Sequence, residues 1–274
     1  MYSCSGDLER NNRILVSVII PTYNSAKYIK NAINSALEQT TPPCEIVVID
    51  DGSVDNTDYV VKSYVESKKI IYIKKQNGGA ASARNLGLLV TRGDLIAFLD
   101  ADDIWVREKL EKQIKLFKNK NVGLVYSGRF FLASERSLDS TPLFSGKVTG
   151  LLIKNNFITN SSVVVCKDII SLAGVFREED RFKAIEDYDL WLRISLLCDI
   201  AYVNDALVGY RIHDEQISNI NYAAIVKNVI KFYFYMFLDV NYRNFRFLIF
   251  VKILQNLKEY IMRLIKFNTP YVKR

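Results

Sequence analysis

The first half of the chain alternates short apolar runs with stretches of helical spacing. VSVII at 16–20 is a short apolar run that reads as a buried strand, and EIVVID at 45–50, IIYI at 70–73 and LIAFL at 95–99 read as three further strands. After the first run Tyr28, Ile29, Ala32, Ile33, Ala36 and Leu37 recur at three- and four-residue intervals, which predicts a helix. Residues 56–66 and 80–91 are read as two more. Pro21 is expected to stop the first strand, Gly52 suits a tight turn in DDGS, and Ser53 or Asp55 can cap the helix over 56–66. The alternation predicts an α/β fold with a mostly parallel central sheet flanked by helices.

Past the helix expected at 106–117 the pattern loosens. GLVYSGRFF at 123–131 and SSVVV at 161–165 read as strands around a variable loop at 133–147. EDYDLWLRISLLC at 186–198 reads as a helix, and ALVGYRIH at 206–213 as a strand that delivers the single histidine, His213. Two amphipathic helices are expected at the end. Val226, Val229, Ile230, Tyr233, Phe234 and Phe237 form one stripe, and Phe250, Leu254, Leu257, Ile261 and Leu264 the other.

In such sheets the loops after the strands meet along one edge, so PTYN, DDGS, NGGAASARN and DADD are expected to share a crevice. Asp100, Asp102 and Asp103 place hard oxygen ligands directly after a buried strand, which suits a divalent cation that also touches a phosphate, or else caps the following helix. Asp50 and Asp51 fit turn chemistry, and a carboxylate there can also accept the imide N–H of uracil or thymine. Arg84 reads either as a solvated helix residue or as a base or phosphate contact. A calcium loop of the EF-hand kind is excluded by Trp105 where its glycine belongs, and the phosphate-binding GxxxxGK[ST] and GxGxxG patterns do not occur.

Composition changes this picture in two places. The 274 residues are 49% hydrophobic and 24% charged, an ordinary globular composition. The net charge of +7 is carried by residues 222–274, which hold ten Lys/Arg against two Asp/Glu. Cys4, Cys44, Cys166 and Cys198 show no CxxC spacing and read as reduced thiols, and neither a secretory leader nor a membrane span is seen, so a cytoplasmic location is expected, possible at the inner face of a membrane.

Taken together and in order, VSVIIPTYN, EIVVIDDGSVDNT, NGGAASARNLG, GDLIAFLDADDIW and EDYDLWLR resemble the glycosyltransferases of family 2, of the GT-A fold, over about residues 16–218. The resemblance implies an inverting transferase using a nucleoside diphosphate sugar, a UDP-sugar foremost, with Mn2+ or Mg2+. Donor binding would fall to Pro21, Thr22, Tyr23, Asn24, Asp50, Asp51, Gly79, Arg84, Asp100, Ala101 and Arg211, with Tyr23 stacking on the base and Asp100 on the ribose. Asp102 and His213 would hold the metal. Asp187 would be the base and Glu186 its orienter or an acceptor contact, although Glu186, Asp187 and Asp189 also suit the first turn of a helix through its dipole. Trp191 is read as an acceptor platform or as core. Lacking QxxRW and membrane helices, the chain is expected to add one sugar, or a short run, to a glycan, lipid-linked or protein acceptor in surface polysaccharide or glycoconjugate synthesis.

The expected organisation is a leader at 1–13, a transferase domain at 14–220 (nucleotide half 14–118, acceptor half 119–220) and a basic helical tail at 221–274 that contacts a membrane, packs on the domain or forms a homodimer. No nucleic-acid module is seen. Two other function classes remain open at this point: a metal-dependent phosphohydrolase of the haloacid dehalogenase type, and a sugar-nucleotide-binding protein without activity.

Overall fold

The computed structural model describes residues 14–132, 141, 143–212 and 222–268. Eight strands form one mixed sheet: β1 (Val16–Thr22), β2 (Glu45–Asp50), β3 (Ile71–Lys74), β4 (Leu95–Phe98), β5 (Ile104–Trp105), β6 (Val122–Phe131), β7 (Val164–Cys166) and β8 (Asp199–Tyr210). Their order across the sheet is β3-β2-β1-β4-β7-β6-β8-β5. The first four strands are mutually parallel, β7 runs antiparallel between β4 and β6, and β8 returns parallel to β6.

Every residue of β1, β2 and β4 is buried, as the unbroken apolar runs predict for strands covered on both faces. Helix α1 (Ile29–Leu37) buries Ile29, Ala32, Ile33 and Ala36, the spacing of one helical face. Next come α2 (Thr57–Glu66), α3 (Ala80–Val90), α4 (Lys109–Ile114), α5 (Thr149–Lys154), α6 (Lys167–Ala173) and α7 (Glu186–Ser195).

Four expectations are corrected. Pro21 does not end β1, which continues to Thr22: pairing with β4 stops at Ile19, so beyond that point one side of β1 has no ladder to lose, and a residue without an N–H fits there. Residues 160–162 form a 3-10 turn instead of the start of a strand. β8 begins seven residues before the expected 206, because the stretch from Asp199 to Val203 is paired beside β6, and its end at Tyr210 leaves Arg211 outside the sheet. His213 lies outside the described residues. Cys44 and Cys198 are free, whereas Cys166 is disulfide-bonded, against the expectation of reduced thiols throughout.

The C-terminal helices α8 (Tyr222–Leu238) and α9 (Arg246–Asn268) pack on each other, on α5 and on the turn at Asp180–Phe182. α8 buries Val226, Phe232, Tyr233 and Met236, and Tyr233 donates its hydroxyl to the Ile153 carbonyl at 3.0 Å. No helix among the described residues is long and apolar enough to cross a membrane.

Candidate active site

The loops after β1, β2 and β3 are tied together by carboxylates and amides. Asn24 adopts φ 49°, a left-handed conformation that asparagine tolerates, and bridges to the next loop: its N–H donates to Ser53 Oγ and its Oδ1 accepts from Val54 N, both at 2.9 Å. Asp50 is fully buried and accepts from Ser53 N at 2.7 Å and from the Tyr72 hydroxyl. Asp51 receives three donors: Lys75 Nζ at 2.7 Å, Gly78 N at 2.9 Å and Gly79 N at 2.7 Å. Gly52 makes this approach possible. It has φ 83°, and a Cβ there would stand 3.0 Å from Asn77 N. Thr22, beside them, is buried with no hydrogen-bond partner on its hydroxyl among the described residues, while Tyr23 is half exposed at the mouth.

The DADD loop after β4 splits its carboxylates by role. Asp103 is buried, accepting from Ser161 Oγ at 2.6 Å and from the Arg211 N–H at 3.1 Å. Burial, then the neighbouring Asp102 and Asp100, raise it well above the usual carboxylate range. Arg211 Nε also donates to the Asp102 carbonyl at 3.0 Å, and its guanidinium lies 4.8 Å from the Tyr28 ring centre, so the segment leaving β8 is pinned to this loop. Ala101 is buried between the acids.

Asp100 points to a different partner. Its Oδ1 accepts from Arg84 Nη2 and Asn160 Nδ2, each at 2.9 Å. Arg84 is itself buried, and its other terminal nitrogen, Nη1, donates to Glu186 Oε1 at 2.9 Å. Burial disfavours the Arg84 charge, but Asp100 and then Glu186 more than offset that, so its pKa is raised. The sequence reading of Arg84 as a base or diphosphate contact therefore meets a guanidinium whose two ends are already held by carboxylates from opposite sides of the crevice.

Glu186 and Asp187 open α7. Asp187 lines a cavity of about 240 Å3 together with Asp100, Asn160, Thr159, Arg129 and Tyr210. Burial first, then Glu186, push its carboxyl up to about 7, while Arg84 and the Tyr188 N–H pull the other way. Trp191, one turn further along, is completely buried against Phe98 and Phe176, with ring centres 6.0 and 6.2 Å away. Inward packing of that face of α7 removes it from any acceptor, so Trp191 is core.

The sequence model described as glycosyl transferase family 2 matches residues 17–168, more than half of the chain. The chain belongs to that family. A glycosyltransferase of Rickettsia typhi is 32% identical over 218 residues, covering 75% of this chain and 66% of its own; the chain thus spans slightly less than two thirds of that protein. The UDP-Glc:alpha-D-GlcNAc-diphosphoundecaprenol beta-1,3-glucosyltransferase WfgD of Escherichia coli is 34% identical over 208 residues, covering 75% of this chain and 80% of its own. Among solved structures, S. aureus TarS 1-349 in complex with UDP-GlcNAc superposes with a TM-score of 0.70 at 20% identity, covering 89% of this chain and 72% of that one, which shows the shared fold. The haloacid dehalogenase alternative is not favoured by these matches.

Several site residues escaped the family 2 motifs. Lys75 follows an edge strand and reads as a solvated lysine, yet its ammonium sits on Asp51. Ser161 falls in a tract that reads as a strand and Asn160 just before it, and only the 3-10 turn at 160–162 aims them at Asp103 and Asp100. Arg129 lies on β6 with its guanidinium 4.6 Å from the Tyr210 ring centre. A lone TNSS or GRF in sequence carries no signal for these roles.

Proposed function

We propose that the protein is an inverting transferase that moves one sugar, a hexose or an N-acetylhexosamine, from a UDP-sugar to a hydroxyl of a lipid-linked or other glycan acceptor in surface polysaccharide synthesis. Asp187 carries the reading: a carboxylate with a pKa of about 7 on the wall of a cavity that also contains Asp100, the end of the donor-side loop. A general base works best with a pKa near the operating pH, and burial beside a second acid is how a carboxylate reaches it. The activity for which the E. coli relative is named and the UDP-GlcNAc in the TarS complex support the donor and acceptor classes.

In this reading the nucleoside enters between Tyr23 and the Asp51 loop, and Asp100 faces the ribose. Asp187 takes the proton of the acceptor hydroxyl as that oxygen attacks the anomeric carbon from the face opposite the diphosphate. The anomeric C–O bond to the diphosphate breaks and the configuration inverts. Glu186, fixed by Arg84, keeps Asp187 oriented and basic.

The donor set fits a Mg2+ or Mn2+ held largely by substrate phosphates. No group of three His, Cys, Asp or Glu able to hold a metal is found among the described residues. The family resemblance assigns the ion to Asp102, half-exposed on the loop after β4, and to His213, which lies outside the described residues. The ion would supply charge neutralisation of the leaving diphosphate. The test is release of nucleoside diphosphate from a panel of UDP-, dTDP- and GDP-sugars with Mn2+, comparing wild type with Asp102→Asn and Asp187→Asn. Turnover of a UDP-sugar that depends on both residues is expected; a folded wild type that neither binds nor turns over any of them would overturn the assignment.

A further inference from the structure

The two C-terminal helices treat their apolar faces differently. α8 turns its apolar face inward, with Phe232, Tyr233 and Met236 at 3% exposure or less, and Arg177 Nη2 donates to the Tyr235 hydroxyl at 2.9 Å. α9 buries Ile249 and Ile253, and leaves a second stripe outside: Phe247 is 83% exposed, Phe250 48%, Leu254 51% and Ile261 53%. At about 100° per residue these four fall within an arc of roughly 60°, and they extend about 21 Å along the axis. Lys258, exposed, stands at the edge of this arc, Arg246 opens α9, and the corner before it adds Leu238, Val240 and Arg243, all exposed.

An apolar stripe on its own would suit a lipid surface or a second copy of the chain, and the charge separates the two. Residues 222–274 carry +8, against −1 for everything before them. Facing this stripe with its own copy would oppose two strongly basic segments. An anionic bilayer complements both features: phenylalanine and branched aliphatic side chains enter the headgroup boundary, while arginines and a lysine with a long apolar stem reach the phosphates.

We infer that the outer face of α9 is a docking surface for an anionic lipid bilayer, with Phe247, Phe250 and Leu254 as the inserting side chains. The basis is geometry and charge alone, so the inference stands apart from the transferase reading. It also assigns the face that would meet the membrane if the acceptor is lipid-linked.

The experiment is co-sedimentation of the full chain with vesicles of phosphatidylcholine alone or mixed with phosphatidylglycerol. Binding to the mixed vesicles, weakening as salt rises, is expected. The triple variant Phe247→Ser, Phe250→Ser, Leu254→Ser should bind them at least about tenfold less. A second variant, Arg243→Gln with Arg246→Gln, should lose about fivefold per charge from the phosphatidylglycerol component, the equivalent of about 1 kcal/mol each. Circular dichroism and the melting temperature check that both variants keep their fold. No binding by the wild type to anionic vesicles, or undiminished binding by the serine variant, overturns the inference. A wild-type dimer by light scattering that the serine variant abolishes would overturn it too, and make the stripe a self-interface.

Discussion

Replacing Arg84 with glutamine separates two accounts of this residue that the motif alone cannot. The side chain joins Asp100 on the donor loop to Glu186 on the base helix through two 2.9 Å contacts, with 7% of it exposed. Removing one partner of a buried ion pair typically costs about 3–5 kcal/mol. Here the lower end applies, because the Asp100 side chain is 31% exposed and can recover water, whereas Glu186 at 12% cannot easily do so. The second effect falls on Asp187. Arg84 lowers its pKa and Glu186 raises it, so deleting the cation leaves the raising influence unopposed. A unit charge a few ångströms away at an effective dielectric near 20 is worth about 3 kcal/mol, or roughly two pH units, and water entering the space left by the guanidinium would roughly halve that. Since Asp187 must be ionised to accept a proton, the rising limb of kcat against pH, expected near 7 in the wild type, should move up by about one unit in Arg84→Gln. Arg84→Lys keeps the charge but cannot span both carboxylates, so its limb should move little while kcat falls. Steady-state kinetics across pH with a UDP-sugar and an acceptor measures all of this. A limb that stays in place together with a tenfold or larger rise in donor KM would refute the bridging role and restore Arg84 as a nucleotide contact.

Asp187→Asn should reduce transfer by about 10^2–10^4, the usual worth of a positioned base, with UDP affinity retained by calorimetry. The same change should stabilise the fold at pH 8 and not at pH 4: the wild-type carboxyl, raised to about 7 in the folded state, favours folding in its protonated form, and that advantage is lost as pH rises through 7. Melting curves at the two pH values check the sign. Lys109 is completely buried, 4.1 Å from the Trp105 ring centre, and its Nζ has no hydrogen-bond partner among the described residues. Burial lowers its pKa well below 10.5, so Lys109→Met should raise the melting temperature at neutral pH, and the gain should shrink as pH rises towards that ordinary value; a loss of stability at pH 7 would show that the ammonium has a stabilising role there. Trp191→Leu should lower stability by about 3 kcal/mol in urea titrations and leave the acceptor KM unchanged, since its ring meets Phe98 and Phe176 alone among aromatic neighbours described; a large acceptor KM effect without destabilisation would contradict the core assignment.

The nucleotide-side fold was legible because each of its strands is a continuous apolar run and each crossover a helical stripe, so local pattern and tertiary placement agree. Legibility faded where pairing, rather than composition, makes the strand. β5 is two residues long and exists through its antiparallel contact with Gly209 and Val208, and β8 pairs with β6 through register shifts that local composition does not announce. The short helices at Thr149–Lys154 and Lys167–Ala173 lack the length for a periodic signal. The tail's two stripes looked alike in sequence, and only the docked position of α8 shows that Val226 and Tyr233 of the first are buried while Phe250, Leu254 and Ile261 of the second face out.

At the site, sequence located the carboxylates and could not apportion them. Asp50, Asp51, Asp100, Asp102, Asp103, Glu186 and Asp187 are chemically interchangeable on paper, and what separates them is the donor each one meets. Those donors are remote: Arg84 reaches Glu186 across 102 residues, and the Arg211 N–H reaches Asp103 across 108. Once the donors are placed, Asp50 and Asp103 become supports for loops, because a buried carboxylate with both oxygens taken has little left to offer a ligand. Asp187 is the opposite case. Its recorded hydrogen bond is to the N–H of the next residue, it faces a cavity, and its neighbours hold its pKa near 7. The acids that build the crevice are thus distinguished from the one suited to move a proton by how many donors surround each, a property that no motif encodes and that the Arg84 substitution is designed to alter.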